Sequence, residues 1–237
     1  MRTRYRCHEC GRSYPDRHDH FCGSEKRPLC RERLVGVEDI PEGESGDIRI
    51  ERKTFDTRTN VAGNWHNPSF MEAGDTIVTL RRKGSIWMSN TPDEIRDQWF
   101  SVVSEEDKPP TILIGGLGLG IAIQKIHERH TPEKVVVVEI DPDVISLVAP
   151  TYASLPWLEI VEGDIKEYGG VGPKDFFDVA WIDIWGNYSL DDLDDMFSVR
   201  RSLRKVMKPG TITYRKMSRV QIWKEEEIKY ARRNRRW

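Results

Sequence analysis

The chain has 237 residues, 38% of them hydrophobic and 32% charged, with a formal net charge of −2. That length holds one full domain and a small accessory module, and the balance is that of a soluble globular protein. No apolar run approaches the roughly 20 residues that span a bilayer, so no membrane partner is expected.

The near-neutral total conceals three differently charged segments. Residues 1–33 carry 9 Lys+Arg against 5 Asp+Glu, a net of +4. Residues 34–199 carry 14 against 31, a net of −17, and residues 200–237 carry 14 against 3, a net of +11. A basic terminus on an acidic body suits either a polyanionic partner such as nucleic acid or packing of the tail on the body itself.

"MRTRYRCHEC" has arginines but no apolar stretch behind them, which does not read as a secretory signal. A cytoplasmic location is therefore expected, and the cysteines Cys7, Cys10, Cys22 and Cys30 read as metal ligands rather than disulfides. The two-residue gap in "CHECG" lets two thiolates face one ion, and Gly11 allows the turn behind them. Tetrahedral zinc takes four ligands. The simplest set is those four cysteines, with His20 as the alternative to Cys30. A structural zinc that staples a segment too small for its own core is expected.

Residues 1–33 thus form a zinc-knuckle module, and 34–46, rich in Gly, Pro and acids, a linker. Residues 47–90 read as a small β region: a strand from about Ile48 to Phe55, no clear period over 56–73, then two strands joined by a turn at Arg82-Lys83-Gly84. Thr91 as N-cap, Pro92 in the first helical position and Glu94 at the capping-box position open a helix.

Residues 91–216 then alternate. "TILI" is a short strand, and Ile121, Ile123 and Ile126 mark a helix behind it. "KVVVVEI" is a β-branched central strand, "DPDVISLVAPTYASL" a helix, and "LEIVEGD" and "FDVAWIDIW" further strands. A helix over "LDDLDDMFSVRRSLRKVM" ends at "KPG", and "TITYRK" is a fifth strand. The expected fold is α/β, a Rossmann-like doubly wound and mostly parallel sheet. Residues 217–237 read as a basic C-terminal helix.

In such folds ligands bind beyond the carboxyl ends of the strands. The turn "GGLGLG" fails the dinucleotide template G-x-G-x-x-G, because the sixth position from Gly116 is Ile121. Its spacing, Gly116-Leu117-Gly118-Leu119-Gly120, suits a ligand whose amino-acid part and ribose cross the turn without a pyrophosphate. Glu139 ends the next strand, where a carboxylate can accept both ribose hydroxyl protons, and Asp164 ends the one after, placed for an adenine amino group beside the Ile165 backbone.

On "ILIGGLGLG", "VVVVEIDPDVI" and "EGDIKEY" the chain resembles class I S-adenosylmethionine-dependent methyltransferases, most closely the spermidine-synthase-like branch, over roughly residues 75–216. The resemblance implies S-adenosylmethionine as cofactor, with Gly116, Gly118 and Gly120 at its methionine part, Glu139 at the ribose and Asp164 at the adenine. It also implies that Asp183, at the end of the fourth strand, orients or deprotonates the acceptor. Trp185 and Tyr188 offer aromatic faces to a planar substrate or to the sulfonium.

Two departures matter. The aminopropyltransferase pattern continues with Ser and Asp-Pro where this chain has Ile184-Trp185-Gly186, which counts against polyamine chemistry. "DIW" is similar to methyltransferase-like proteins encoded by bacteriophages. Only 21 residues follow Lys216, so the sheet is expected to be truncated at its C-terminal edge or completed by a second subunit. The leading expectation is a methyltransferase acting on a small molecule or on nucleic acid, with the basic tail and the zinc knuckle helping to grip the substrate. Aminopropyl transfer to a polyamine, and a non-catalytic zinc-stapled nucleic-acid-binding or adaptor protein, are the alternatives.

Overall fold

The computed structural model describes residues 4–7, 13–15, 21–22, 25–26, 31–64, 67–97, 110–129, 132–185, 192–209 and 214–215. The chain forms two compact units that interleave along the sequence. The first takes Met1–Val103, Gly118–Thr131 and Pro142–Pro156; the second takes Ser104–Leu117, Pro132–Asp141 and Trp157–Trp237.

The first unit begins with β1 (Arg4–Cys7), β2 (Ser13–Pro15), β3 (Phe21–Cys22), β4 (Glu25–Lys26) and β5 (Arg31–Leu34). β1 lies antiparallel between β2 and β5, and β3 pairs with β4. Residues 34–46, expected as a linker, carry a 3-10 turn at Val37–Asp39 and strand β6 (Gly43–Ser45). Val37 and Ile40 are fully buried there. The Arg52 guanidinium donates to the Glu38 and Ile40 carbonyls, each at 2.6 Å, and so fastens the stretch. Its Gly, Pro and acidic residues concealed two apolar anchors.

β7 (Ile48–Thr54) follows, with Ile48 and Ile50 buried and Arg49 exposed between them, the alternation of a half-buried strand. Residues 56–73, which showed no period, hold the hairpin β8 (Thr59–Asn64) and β9 (Asn67–Met71), whose register slips between Asn60 and Ala62. That irregularity and Pro68 explain the missing alternation. β10 (Thr76–Arg82) and β11 (Ser85–Ser89) form the expected hairpin, with Lys83 and Gly84 at φ 50° and 80° in a two-residue turn. The antiparallel sheet runs β11-β10-β7-β6. Helix α1 (Pro92–Asp97) starts where Thr91 and Pro92 indicated. Glu94, however, reaches past Thr91 to accept from the Ser89 amide and from its hydroxyl.

Through the interleaved part the elements are β12 (Thr111–Gly115), α2 (Ile121–Arg129), β13 (Lys134–Glu139), α3 (Pro142–Tyr152), β14 (Leu158–Glu162), α4 (Ile165–Val171), β15 (Val179–Ile182), α5 (Leu193–Leu203) and β16 (Tyr214–Arg215). α2 and α3 belong to the first unit, and the strands with α4 and α5 to the second. All five strands are parallel, in the order β14-β13-β12-β15-β16. The order reverses at β12, the mark of a Rossmann-like doubly wound sheet, as the alternation of elements implied. The end expected for the sheet beyond Arg215, and the helix expected over 217–237, lie outside the described residues.

The core of the second unit sits where α4 and α5 meet the sheet. Leu113, Val136, Val138, Ala180 and Ile182 from the strands pack with Ile165, Tyr168, Met196, Val199 and Leu203 from the helices. α4 was not among the expected elements; Gly169 and Gly170 lower the helix propensity of its sequence. A Cβ at Gly169 would collide with the Ser202 carbonyl, so this glycine lets α4 lie close against α5.

Candidate functional site

The order reversal sets the ends of β12 and β15 side by side. Asp183 N–H donates to the Gly115 carbonyl at 2.9 Å, and Gly116 N–H donates to the Val138 carbonyl at 2.9 Å. Gly116 therefore lies between the ends of β13 and β15, in the crevice where doubly wound sheets bind ligands. Its φ is 91°, and a Cβ there would stand 2.7 Å from the Asp183 carbonyl oxygen. Only glycine fits both the conformation and the space.

Glu139, at the end of β13, is 8% exposed. Its Oε2 accepts from the Leu117 amide at 2.7 Å, and its Oε1 accepts from the Asp141 amide at 2.9 Å. The acid expected at a ribose thus also holds the glycine turn. Each carboxylate oxygen retains a further lone pair. A phosphate-cradling loop presents free amides to an anion. Here the Leu117 amide is already given to the Glu139 carboxylate.

The chain leaves the second unit after Leu117, and the rest of the turn has its own partners in the first. Gly118 and Gly120 have φ of 50° and 70°. Leu119 N–H donates to Met88 Sδ at 3.2 Å, and the Tyr152 hydroxyl donates to the Leu119 carbonyl at 2.9 Å. A Cβ on Gly120 would run into the Tyr152 ring. Tyr152 is fully buried, and burial, then the charges of Glu38 and Asp39, push its phenol well above the ordinary 10.0. It stays a donor at any working pH. Neither Met88 nor Tyr152 carried a signal in the sequence.

Asp164 ends the loop after β14 and is the N-cap of α4, its Oδ1 accepting from the Lys166 amide at 2.8 Å. Ile165 opens that helix and is buried in the core. Asp183 is part-exposed directly after β15. Trp185 packs against the core, and its indole N–H donates to Asp195 Oδ2 at 3.0 Å. Lys166 Nζ approaches the same oxygen at 2.9 Å. Burial pushes the Asp195 carboxyl up, but the hydrogen bonds from Lys166 and Trp185 outweigh it and hold the group below its ordinary 3.8. Asp195 was indistinguishable within the acidic run "LDDLDD".

The sheet thus brings together Gly116, Glu139, Asp164, Ile165, Asp183 and Trp185 within one unit. Tyr188 lies outside the described residues, as do Cys10, Cys30 and His20, while Cys7 and Cys22 fall in strands described by their backbone. Among the described residues no group of three His, Cys, Asp or Glu side chains is arranged to hold a metal ion. No described helix is long and apolar enough to cross a membrane.

No protein-family model and no curated protein matches the sequence. Solved structures do. Spermidine synthase from Thermotoga maritima is 20% identical with a TM-score of 0.45, over 71% of this chain and 53% of that one. A spermidine synthase in complex with the transition-state analogue AdoDATO is 19% identical with a TM-score of 0.42, over 71% and 52%. An S-adenosylmethionine-dependent methyltransferase from Mesorhizobium loti is 18% identical with a TM-score of 0.34, over 50% and 48%. The chain spans about half the length of each. Both groups that the sequence motifs resemble, spermidine synthases and S-adenosylmethionine-dependent methyltransferases, are among the structures this chain is similar to.

Proposed function

We propose that the protein is an S-adenosylmethionine-dependent methyltransferase. The observation that carries this reading is Glu139: a buried carboxylate at the end of the second sheet strand that takes the glycine turn's Leu117 amide. An acid in this position suits ribose hydroxyls, and the turn's G-x-G-x-G spacing, with Ile121 where G-x-G-x-x-G needs glycine, disfavours a dinucleotide pyrophosphate. When bound, S-adenosylmethionine supplies a methyl group on a sulfonium, open to in-line displacement. The chain's residues do the positioning, which is most of the catalysis in such transfers. Glu139 has lone pairs left for the ribose hydroxyls, Asp164 with the Ile165 amide suits the adenine edge, and Asp183 orients the acceptor and takes its proton. The Asp195–Lys166 pair fixes Trp185 beside Asp183.

The acids at the strand ends also favour a cationic acceptor, so aminopropyl transfer to a polyamine is the second reading. Calorimetric titration with S-adenosylmethionine, its decarboxylated form and NAD separates these. Micromolar binding of S-adenosylmethionine, lost in Glu139→Ala while that variant still melts cooperatively, is the expected result. Preference for the decarboxylated form would favour the second reading, and binding of NAD, or of none of the three, would sink both.

Zinc at Cys7, Cys10, Cys22 and Cys30 belongs to the same proposal. Cys7 closes β1 and is the cross-strand partner of Arg31, the residue after Cys30. Metal analysis of the purified protein should return one zinc per chain, released by a chelator.

A further inference from the structure

The glycine turn gives two of its amides to acceptors of different kinds. Leu117 donates to the Glu139 carboxylate, and Leu119 donates to the thioether sulfur of Met88 at 3.2 Å. A thioether is a weak acceptor, yet here it serves a residue that is fully buried. Leu119 stands between Gly118 and Gly120, both left-handed, where a backbone has the most freedom to turn. Its carbonyl is taken by the Tyr152 hydroxyl. Side chains of β11 and α3 therefore fix both peptide groups of Leu119. The sulfur also lies over Gly118, where a Cβ would stand 2.5 Å from it.

The hairpin is built to deliver that sulfur. In the β10–β11 ladder Ile86 is opposite Arg81, and strict alternation would bring Trp87 opposite the buried Leu80. The register shifts there instead, Trp87 becomes the extra residue, and Met88 takes the place opposite Leu80. A bulge beside a site re-aims a side chain. This one leaves Trp87 half-exposed, with the Arg82 guanidinium 3.8 Å from its ring centre, and turns Met88 to the glycine turn. Just beyond Met88 the strand end is pinned. Ser89 gives its amide and its hydroxyl to Glu94. The fully buried Asn90 accepts from the Val78 amide at 2.7 Å and donates its own amide to the Val78 carbonyl at 3.1 Å. Support of that kind is what keeps a site's side chain in one position.

We propose that Met88 is a positioning residue of the cofactor site: its sulfur, rather than its bulk, sets the Gly118–Leu119 peptide and through it the affinity for S-adenosylmethionine. The motif resemblance puts Gly118 and Gly120 at the methionine part of that cofactor. The inference rests on the transferase reading for the identity of the ligand; the hold on the turn stands apart from it.

The test uses two variants of the full chain. Met88→Leu keeps the volume and removes the acceptor, and Met88→Gln keeps the length and supplies a carbonyl oxygen. Amide hydrogen exchange is read at Leu119, and S-adenosylmethionine is titrated by calorimetry. Met88→Leu should speed the exchange and weaken the binding, each about fivefold, the worth of one hydrogen bond. Met88→Gln should bring both back to within about twofold of wild type. A packing role alone predicts the reverse order, because leucine replaces methionine in a core at little cost and an amide does not. Met88→Leu that behaves as wild type, or Met88→Gln that is no better than Met88→Leu or fails to fold, would overturn the proposal. So would faster exchange with unchanged affinity, which would leave the contact structural. Wild-type protein that binds no S-adenosylmethionine sinks the transferase, while the exchange rates still decide whether the sulfur holds the turn.

Discussion

At the N-terminal end of the parallel sheet, Asp178 takes the Lys208 ammonium at 2.7 and 2.9 Å, the Thr111 amide at 2.8 Å and the Thr111 hydroxyl at 2.7 Å. At the C-terminal end Glu139 is also doubly engaged, but by the Leu117 and Asp141 amides. Asp164 likewise accepts from the Lys166 amide. Among the described residues neither Glu139 nor Asp164 is in an ion pair. The first end joins β12, β15 and the turn after α5 with an internal cation; the second is held by backbone amides. An acid neutralised within the fold contributes to stability. An acid fixed by amides keeps its orientation.

The largest expected effect is at the second end. Gly116→Ala puts a side chain at φ 91° and 2.7 Å from the Asp183 carbonyl. The strained conformation alone costs about 1–3 kcal/mol, and the displaced β15 end should also abolish nucleoside binding. Denaturant unfolding and calorimetry check both. Intact binding in a destabilised variant would mean that the crevice is not the site.

Next is Asp178→Asn, which should cost about 1–2 kcal/mol, at the low end because Lys208 is 38% and Asp178 27% exposed. Nucleoside affinity should not change; a tenfold loss would break the division between the two ends. The pH dependence has a definite sign. Burial pushes the Asp178 carboxyl up, but the hydrogen bonds from Lys208 and Thr111 outweigh it, so it sits below its ordinary 3.8. Its folded value is depressed, so its stabilisation is complete above 3.8 and is lost as pH falls through the lower folded value. The stability gap between wild type and Asp178→Asn should accordingly begin to narrow near pH 3.8 and close only below the lower folded value.

Trp185→Phe should have the smallest effect, about 0.5–1.5 kcal/mol for one hydrogen bond, because Lys166 still holds Asp195. A fall in turnover well beyond the change in stability would show that Trp185 touches the acceptor. Equal, small changes would leave it a packing residue.

The sequence by itself determined the parallel strands, the glycine turn and the acids that end β13, β14 and β15. Those signals are local: β-branched runs, glycine spacing and the position of an acid after a strand are read within a few residues. It also carried the β10–β11 hairpin and the start of α1. Only the tertiary structure decided that residues 34–46 are anchored by Val37 and Ile40, that Gly169 opens a path for α4 against α5, and that Glu139 binds the Leu117 amide rather than standing free. It alone joined Trp185 to Asp195, and Thr111 to Asp178 and Lys208. The reason is common to all of these. Each depends on a partner brought close by the fold, 97 positions away for Thr111 and Lys208, and the chemistry of a carboxylate is settled by what faces it, not by its neighbours in the chain.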